Sequence, residues 1–201
     1  MVISTISGHS VLIKKMQRDF STAKFDKLSR GKQIFEFCVG VKRKVFFIEE
    51  GDFMVRRKKD NKIITIITAP FVIGLVPAEE SLPLYLEKID HGKISFIEYT
   101  HFWSLVNYRD LLSEVMNVVS GYHTEILGYL ELHTSCTETY TKNMIERWNK
   151  YPLHIRKRFS LLYFLVNSSY LSKSTLCRIL KRFKEAGLLQ LERGKMEMYE
   201  A

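Results

Sequence analysis

No stretch of this 201-residue chain is apolar for long enough to cross a bilayer as a helix, which takes about 20 consecutive residues. The longest apolar run, "IITIITAPFVIGLV" from Ile63 to Val76, is interrupted by Thr65, Thr68 and Pro70 and has the composition of strands. No transmembrane helix and no membrane partner are expected. The amino terminus "MVISTISGHSVLIKK" has no basic region ahead of its apolar part and no cleavage site, so no signal peptide is read there. Cysteine is scarce. Cys38, Cys136 and Cys177 are odd in number, far apart and without a Cys-x-x-Cys or Cys/His zinc spacing. That excludes a disulfide framework and predicts no metal; the chain reads as a reduced cytoplasmic protein. Catalytic signatures are missing as well: there is no P-loop, no HExxH and no GxSxG. Glu49-Glu50 and Glu79-Glu80 are adjacent pairs, which on a strand point to opposite faces. No enzymatic activity is predicted.

What is present is ample core material. A hydrophobic fraction of 46% with 12% aromatics suits one large domain or two small ones and argues against disorder. The net charge is +9, and it is unevenly spread. Residues 150–201 hold 11 Lys and Arg against 4 Asp and Glu, whereas 99–149 hold 3 against 6. Positive charge concentrated in this way suits a polyanion, because each neutralised phosphate releases counterions. A solvated basic face is the plainer reading of charge alone.

Residues 30–98 read as β-structure. The runs "QIFEFCV", "KVFFIEEG", "DFMVRRKK", "KIITIIT", "FVIGLV", "PLYLEKID" and "KISFIEY" are short and rich in β-branched and aromatic residues, with turn material between them. Regular short strands predict a sandwich or barrel. "FMVRRKKDNKIITII" predicts a hairpin with Asp60-Asn61 at its tip, and Arg56-Arg57-Lys58-Lys59 on its arm reads as a solvated strand end or a nucleic-acid patch.

From residue 100 the period becomes helical. Leu105, Tyr108, Leu112, Val115, Val119, Tyr122, Ile126 and Tyr129 recur in steps of 3 and 4, and His133 takes the next place. A narrow seam sustained in this way predicts one long helix over 100–134 that dimerises; packing against its own β-domain is the alternative. Gly121 and Gly128, beside the seam, would let a neighbouring backbone approach. "YTKNMIERWNK" and "LHIRKRFSLLYFLVNSS" then predict two helical segments with Pro152 between them.

The end of the chain carries the sharpest signal. Ser172 is a good N-cap, followed by Ser174 and Thr175. Leu176, Ile179, Leu180 and Phe183 form one apolar stripe, and Lys173, Ser174, Cys177, Arg178, Lys181 and Arg182 form the opposite face. Gly187 closes the helix, and "LLQLERGKMEMY" predicts a hairpin with Arg193-Gly194-Lys195 at its turn. Together these features predict a winged helix-turn-helix. Its second helix would enter a major groove of double-stranded DNA, with hydroxyls and wing tip on phosphates. The expected DNA contacts are Ser172, Lys173, Ser174, Thr175, Arg178, Lys181, Arg182, Arg193 and Lys195. Cys177 beside Arg178 reads either as a small residue allowing close approach or as an oxidisable thiol.

"YLSKSTLCRILKRFKEAGLLQLERGKM" resembles the C-terminal helix-turn-helix of the Crp/Fnr superfamily of transcription regulators (cAMP receptor protein and fumarate-nitrate regulator). The resemblance is specific over about residues 169–196 and architectural over nearly the whole chain. It implies an α+β protein: a β-roll like the cyclic-nucleotide-binding domain (1–99), a long dimerisation helix (100–134) and a winged helix-turn-helix domain (135–201). It implies a homodimer on a pseudo-palindromic DNA site. Lys173 stands where relatives have a base-reading Arg, and Ser174 where an acidic or polar base reader is common. Thr175 matches the phosphate contact and Arg178 the second base reader. Tyr170 replaces the usual turn glycine. The pattern "YPLHIRKR…YLSKSTLCRIL" looks most like a divergent enterobacterial branch named for inhibiting hydrogen peroxide resistance. A protein-interaction module, whose basic helix docks an acidic protein and antagonises another regulator without touching DNA, is the alternative.

Relatives that bind cyclic nucleotide carry Gly-Glu, a short helix, then an Arg that takes the phosphate. Here Leu75 follows Gly74, no Arg occurs between Arg57 and Arg109, and Glu79 and Glu80 would repel phosphate. This argues against cyclic nucleotide. A lone Cys38 in the β-region argues against an iron–sulfur cluster. His91, His101, His123 and His133 leave haem open. No cofactor is predicted and no effector is read.

Overall fold

The computed structural model describes residues 3–23, 33–40, 42–76, 84–131 and 136–200, with backbone alone for 3–7, 21–23 and 125–131. The chain divides into two compact units, 1–126 and 127–201. The first opens with α1 (Ile3–Met16) and a 3-10 turn at Gln17–Asp19. Strands β1 (Ser21–Ala23), β2 (Ile34–Glu36), β3 (Cys38–Val39), β4 (Lys42–Glu50), β5 (Asp52–Arg57), β6 (Ile63–Thr68), β7 (Phe71–Ile73), β8 (Leu84–Lys88) and β9 (Lys93–Glu98) follow. They form two antiparallel sheets. One runs β1-β9-β4-β3 with β7 also on β4, and the other runs β2-β8-β5-β6.

β4 shows why the sheets stack. Its side chains alternate in direction, yet Val45, Phe46, Phe47 and Ile48 are all buried, because both faces are covered. Val45 and Phe47 join a core with residues of α1 and of the helices that follow β9, among them Leu12, Met16, Phe102 and Val106. Phe46 and Ile48 point the other way and meet Phe53, Val55, Ile67 and Leu86 of the second sheet. The β5–β6 hairpin turns at Asp60-Asn61, with Asn61 at φ 57° and Arg57 N–H bonded to Lys62 O at 3.0 Å. All seven strand-like runs of the sequence carry strands. The sequence reading gave no structure to α1 or β1. In α1 the buried stripe includes a histidine, His9, in a place where an apolar residue would have marked the helix.

The single helix expected over 100–134 is two helices, α2 (Tyr99–Tyr108) and α3 (Leu112–Glu131). Asp110 sits at φ 52° between them. Arg109 fixes the break: its guanidinium grips Asp19 at 2.7 and 3.0 Å and donates to Lys15 O at 2.9 Å. Lys15 in turn pairs with Glu114. The seam is redistributed accordingly. Val115 is fully buried in its own unit, beside Leu111 and Val118, so it is not free for a partner. Leu105, Val119 and Tyr122 pack partly on the same core. Tyr108, at the end of α2, and Leu112, at the start of α3, are exposed, and so is Met116, one turn after Leu112, which the seam did not include. The side chains of Ile126 and Tyr129 lie outside the described residues, as do His133, Glu79 and Glu80.

The second unit holds α4 (Thr137–Asn149), α5 (Leu153–Arg158), α6 (Leu161–Ser168), α7 (Lys173–Glu185), β10 (Leu189–Glu192) and β11 (Lys195–Tyr199). The segment expected as one helix after Pro152 is two. The chain leaves α5 at Phe159 in extended conformation, and Ser160 starts α6 by accepting the N–H of Tyr163 at 3.1 Å. No described helix is long and apolar enough to cross a membrane.

His9 is the buried ionisable group of the first core. Its Nδ1 accepts the N–H of Val72 at 3.0 Å, and its ring stacks on Phe71 at 4.2 Å. Burial lowers its pKa to about 4. The folded state therefore holds the imidazole neutral where the unfolded chain protonates it. The unfolded state binds more protons between about pH 6.5 and 4, so stability is lost as pH falls through that window. From a shift of this size the loss is on the order of 3 kcal/mol. Urea unfolding at pH 7 and 4.5 should show a steep fall for the native protein and a shallower one for His9→Gln. Equal falls would contradict this role for His9.

Candidate nucleic-acid interface

The helix α7 is placed by its apolar stripe. Leu176, Ile179, Leu180 and Phe183 are buried, and α7 packs on α4, α6 and β10. Trp148 of α4 is fully buried and stacks on Phe164 of α6 at 4.7 Å. The two helix ends are both satisfied locally. Ser172 Oγ accepts the N–H of Thr175 at 3.1 Å and lies 2.9 Å from both the Ser174 and Thr175 hydroxyls. At the other end Gly187 takes φ 74°, a left-handed conformation that a side chain would strain. Gly187 N–H meets Lys184 O at 3.1 Å and Leu188 N–H meets Phe183 O at 2.9 Å.

The bend between α6 and α7 is built by Ser169. This buried residue donates its hydroxyl to Leu165 O at 2.7 Å, and its N–H bonds the same carbonyl at 3.0 Å. Tyr170 follows at negative φ with its side chain 71% exposed, so the bend does not require glycine there.

Beyond Ser172 and Thr175 at the cap, the expected contact residues fall into three groups. Lys173, Ser174 and Arg178 are exposed on the outer face of α7's first turns with Cys177, and Lys173 and Arg178 form no ion pair among the described residues. Lys181 and Arg182 are exposed but engaged. Lys181 lies 3.7 Å from Glu185 one turn on, and Arg182 reaches Glu138 at the start of α4 at 3.3 Å. Such exposed pairs are worth about 0–1 kcal/mol, so either cation can exchange its carboxylate for a phosphate. Arg193 and Lys195 belong to the hairpin β10–β11, whose two-residue turn is Arg193-Gly194, both at positive φ. Lys195 lies just past the turn and points back, donating to Arg158 O at 2.8 Å. Lys195 is thus a strut rather than an outward cation.

Elsewhere three residues of the basic run Arg56–Lys59 meet carboxylates. Arg56 meets Glu87 at 2.5 Å, Arg57 meets Asp60 at 2.6 Å and Lys58 meets Glu36 at 2.8 Å. Among the three exposed thiols, Cys136 is held below the usual range by hydrogen bonds from the Thr139 N–H and hydroxyl and the Glu138 N–H at the start of α4. The sequence reading had weighed Cys177 instead, since nothing local marks Cys136 as a helix start.

In the first unit Gly74 is at φ 96°, and a Cβ there would come within 2.7 Å of Lys44 O. This glycine serves a close approach to β4. Leu75 is 1% exposed in the core of its own unit. The space between the sheets is filled by Phe35, Phe37, Phe46, Phe53 and Phe96, whose rings meet at 5.4–6.3 Å.

No protein-family model matches the chain, and no curated protein matches it in sequence. Solved structures do. The c-di-GMP-responsive global regulator CLP of Xanthomonas campestris superposes with a TM-score of 0.66 at 13% identity, over 96% of this chain and 100% of that one. A CooA variant from Carboxydothermus hydrogenoformans gives 0.66 at 11%, over 95% and 86%. A transcriptional regulator of the Crp/Fnr family from Eubacterium rectale gives 0.50 at 11%, over 92% and 93%. At these identities the likeness speaks for architecture alone: the chain shares the mixed α and β fold of these structures.

Proposed function

We propose that this chain is a homodimeric, sequence-specific DNA-binding transcription regulator of the Crp/Fnr type, acting in the cytoplasm, whose sensor-like domain takes no cyclic nucleotide. The observation that carries the reading is α7. It is capped at both ends, buried on one side, and presents Lys173 and Arg178 without acidic partners on the other. In a major groove, Arg178 in the second turn reaches a base edge, where a guanidinium matches the two acceptors of guanine. Lys181, a turn further on, meets the backbone. The hydroxyls at the capped N-terminus and Arg193 at the wing tip hold phosphate. The sequence resemblance over 169–196 and the shared fold support the same reading. The finer assignment to the branch that inhibits hydrogen peroxide resistance rests on the "YPLHIRKR…YLSKSTLCRIL" pattern alone.

Two features of the first unit complete the proposal. The dimer face is drawn around the exposed Tyr108 at the end of α2 and Leu112 and Met116 on the first turns of α3. Leu75 is buried where nucleotide-binding relatives place a Glu, and among the described residues aromatic rings occupy the space between the sheets, which supports a sensor that takes no cyclic nucleotide.

Gel shifts on genomic fragments, at several salt concentrations, test the DNA reading. Arg178→Ala should cost about 1–3 kcal/mol on a specific fragment and flatten the preference over random DNA. Lys181→Ala should weaken both alike and lower the salt slope by about one. Identical effects on preference, or no effect from either, would contradict the placement of α7. Met116→Glu alters an exposed side chain, so the protomer should fold while sedimentation shifts from dimer to monomer. A native protein that is monomeric at micromolar concentration, with and without DNA, would sink the dimer. A ligand at a hundredfold over its dissociation constant stabilises by about 2.7 kcal/mol. Neither cAMP nor cGMP should raise the melting temperature; a clear rise with either would refute the empty-sensor reading.

A further inference from the structure

We infer that the corner where the end of α5 meets the β10–β11 turn is a second phosphate-binding surface for the nucleic-acid backbone, formed by Lys157, Arg158 and Arg193 and held in shape by Lys195. The inference rests on the DNA reading above and adds residues to it. The last turn of α5 is Arg156, Lys157 and Arg158. Arg156 is turned inward: its Nε donates to Tyr151 O at 3.1 Å and its Nη1 to Asn149 Oδ1 at 3.0 Å. Lys157 and Arg158 are left exposed. The hairpin turn is fastened to this end of α5 and to the start of α6 by two bonds. Lys195 Nζ donates to Arg158 O at 2.8 Å, and Leu161 N–H donates to Gly194 O at 3.1 Å. The contact is close, since a Cβ on Gly194 would lie 3.4 Å from Ser160 Cβ. Arg193, beside Gly194 in the turn, therefore shares a corner with Lys157 and Arg158. Beside Arg158 lies an aromatic pair. The Arg158 guanidinium is 5.8 Å from the Phe159 ring centroid, and Phe159 stacks on Tyr163 at 5.2 Å.

The chemistry selects a phosphodiester backbone. The carboxylate nearest along the chain is the exposed Glu192, which pairs in register with Lys195, and neither Lys157 nor Arg193 has an ion pair among the described residues. Cations on two neighbouring segments, joined by hydrogen bonds to backbone carbonyls, form a surface that can meet successive phosphates at little ordering cost. The corner belongs to the same compact unit as α7, so one unit carries both the base-reading face and the backbone clamp. The corner cations set affinity and leave sequence choice to Arg178.

Lys157→Ala and Arg158→Ala change exposed side chains and keep the Arg158 carbonyl, so the strut from Lys195 survives. On a DNA fragment that the native protein prefers, the double variant should lower the salt slope by about two, near 0.9 per contact. Its preference for that fragment over random DNA should be unchanged. An unchanged slope in a protein that still binds DNA specifically would overturn the corner and leave the regulator reading standing. A changed preference would also overturn it, by making these residues readers. Failure of the native protein to bind any DNA would defeat the regulator reading itself and the corner with it.

Discussion

The C-terminal unit depends on the burial of Trp148 against Phe164. The indole is fully enclosed, stacked at 4.7 Å on Phe164 and met edge-on by Tyr151 at 5.8 Å. This contact joins α4 to α6, and α6 carries α7 through the Ser169 bend. A buried aromatic of this size contributes about 3–5 kcal/mol, a large part of the roughly 5–15 kcal/mol that holds a domain together. Without it the stripe Leu176, Ile179, Leu180 and Phe183 would have no surface to lie on. The outer cations would then have no fixed direction. The direction of Arg178 is thus set by the packing beneath it, through the buried Ile179 and Leu180.

In the first unit the same packing logic holds. β4 and its neighbours bury large side chains on both faces, so the space between the sheets is occupied by phenylalanine rings. Gly74 is spent on a close approach to Lys44 O, and Leu75 on the core. Packing of this kind stabilises a scaffold and leaves few polar groups pointing inward. His9 is an exception, and its Nδ1 is already engaged by Val72.

The strands and α7 were legible because their signals are local: alternating apolar residues, turn residues and a cap within four positions of the helix it starts. The stripe of α7 stands as its spacing dictates. The break between α2 and α3 was not legible. Arg109 and Asp110 carry no proline or glycine, and the steps from Leu105 through Tyr108 to Leu112 pass smoothly across it. What fixes the break is Asp19, 90 residues away, and no local window contains that pair. The same holds for α1, whose stripe includes a histidine that only β7 explains. At the interface the sequence supplied residue types but not their engagements. That Lys195 points back to Arg158, and Arg182 across to Glu138, follows from the packing of α5 and α4. Chain spacing alone carries no such information.

The central claim is that α7 reads DNA from a two-fold symmetric pair of protomers. Selection from a pool of random duplexes by the intact protein tests it most directly. The account predicts enrichment of an inverted repeat whose half-sites lie about one helical turn, roughly 10–11 base pairs, or a multiple of it, apart, each with a guanine at a fixed position. Recovery of duplexes with no shared motif, in a protein that is folded and pure, would contradict it.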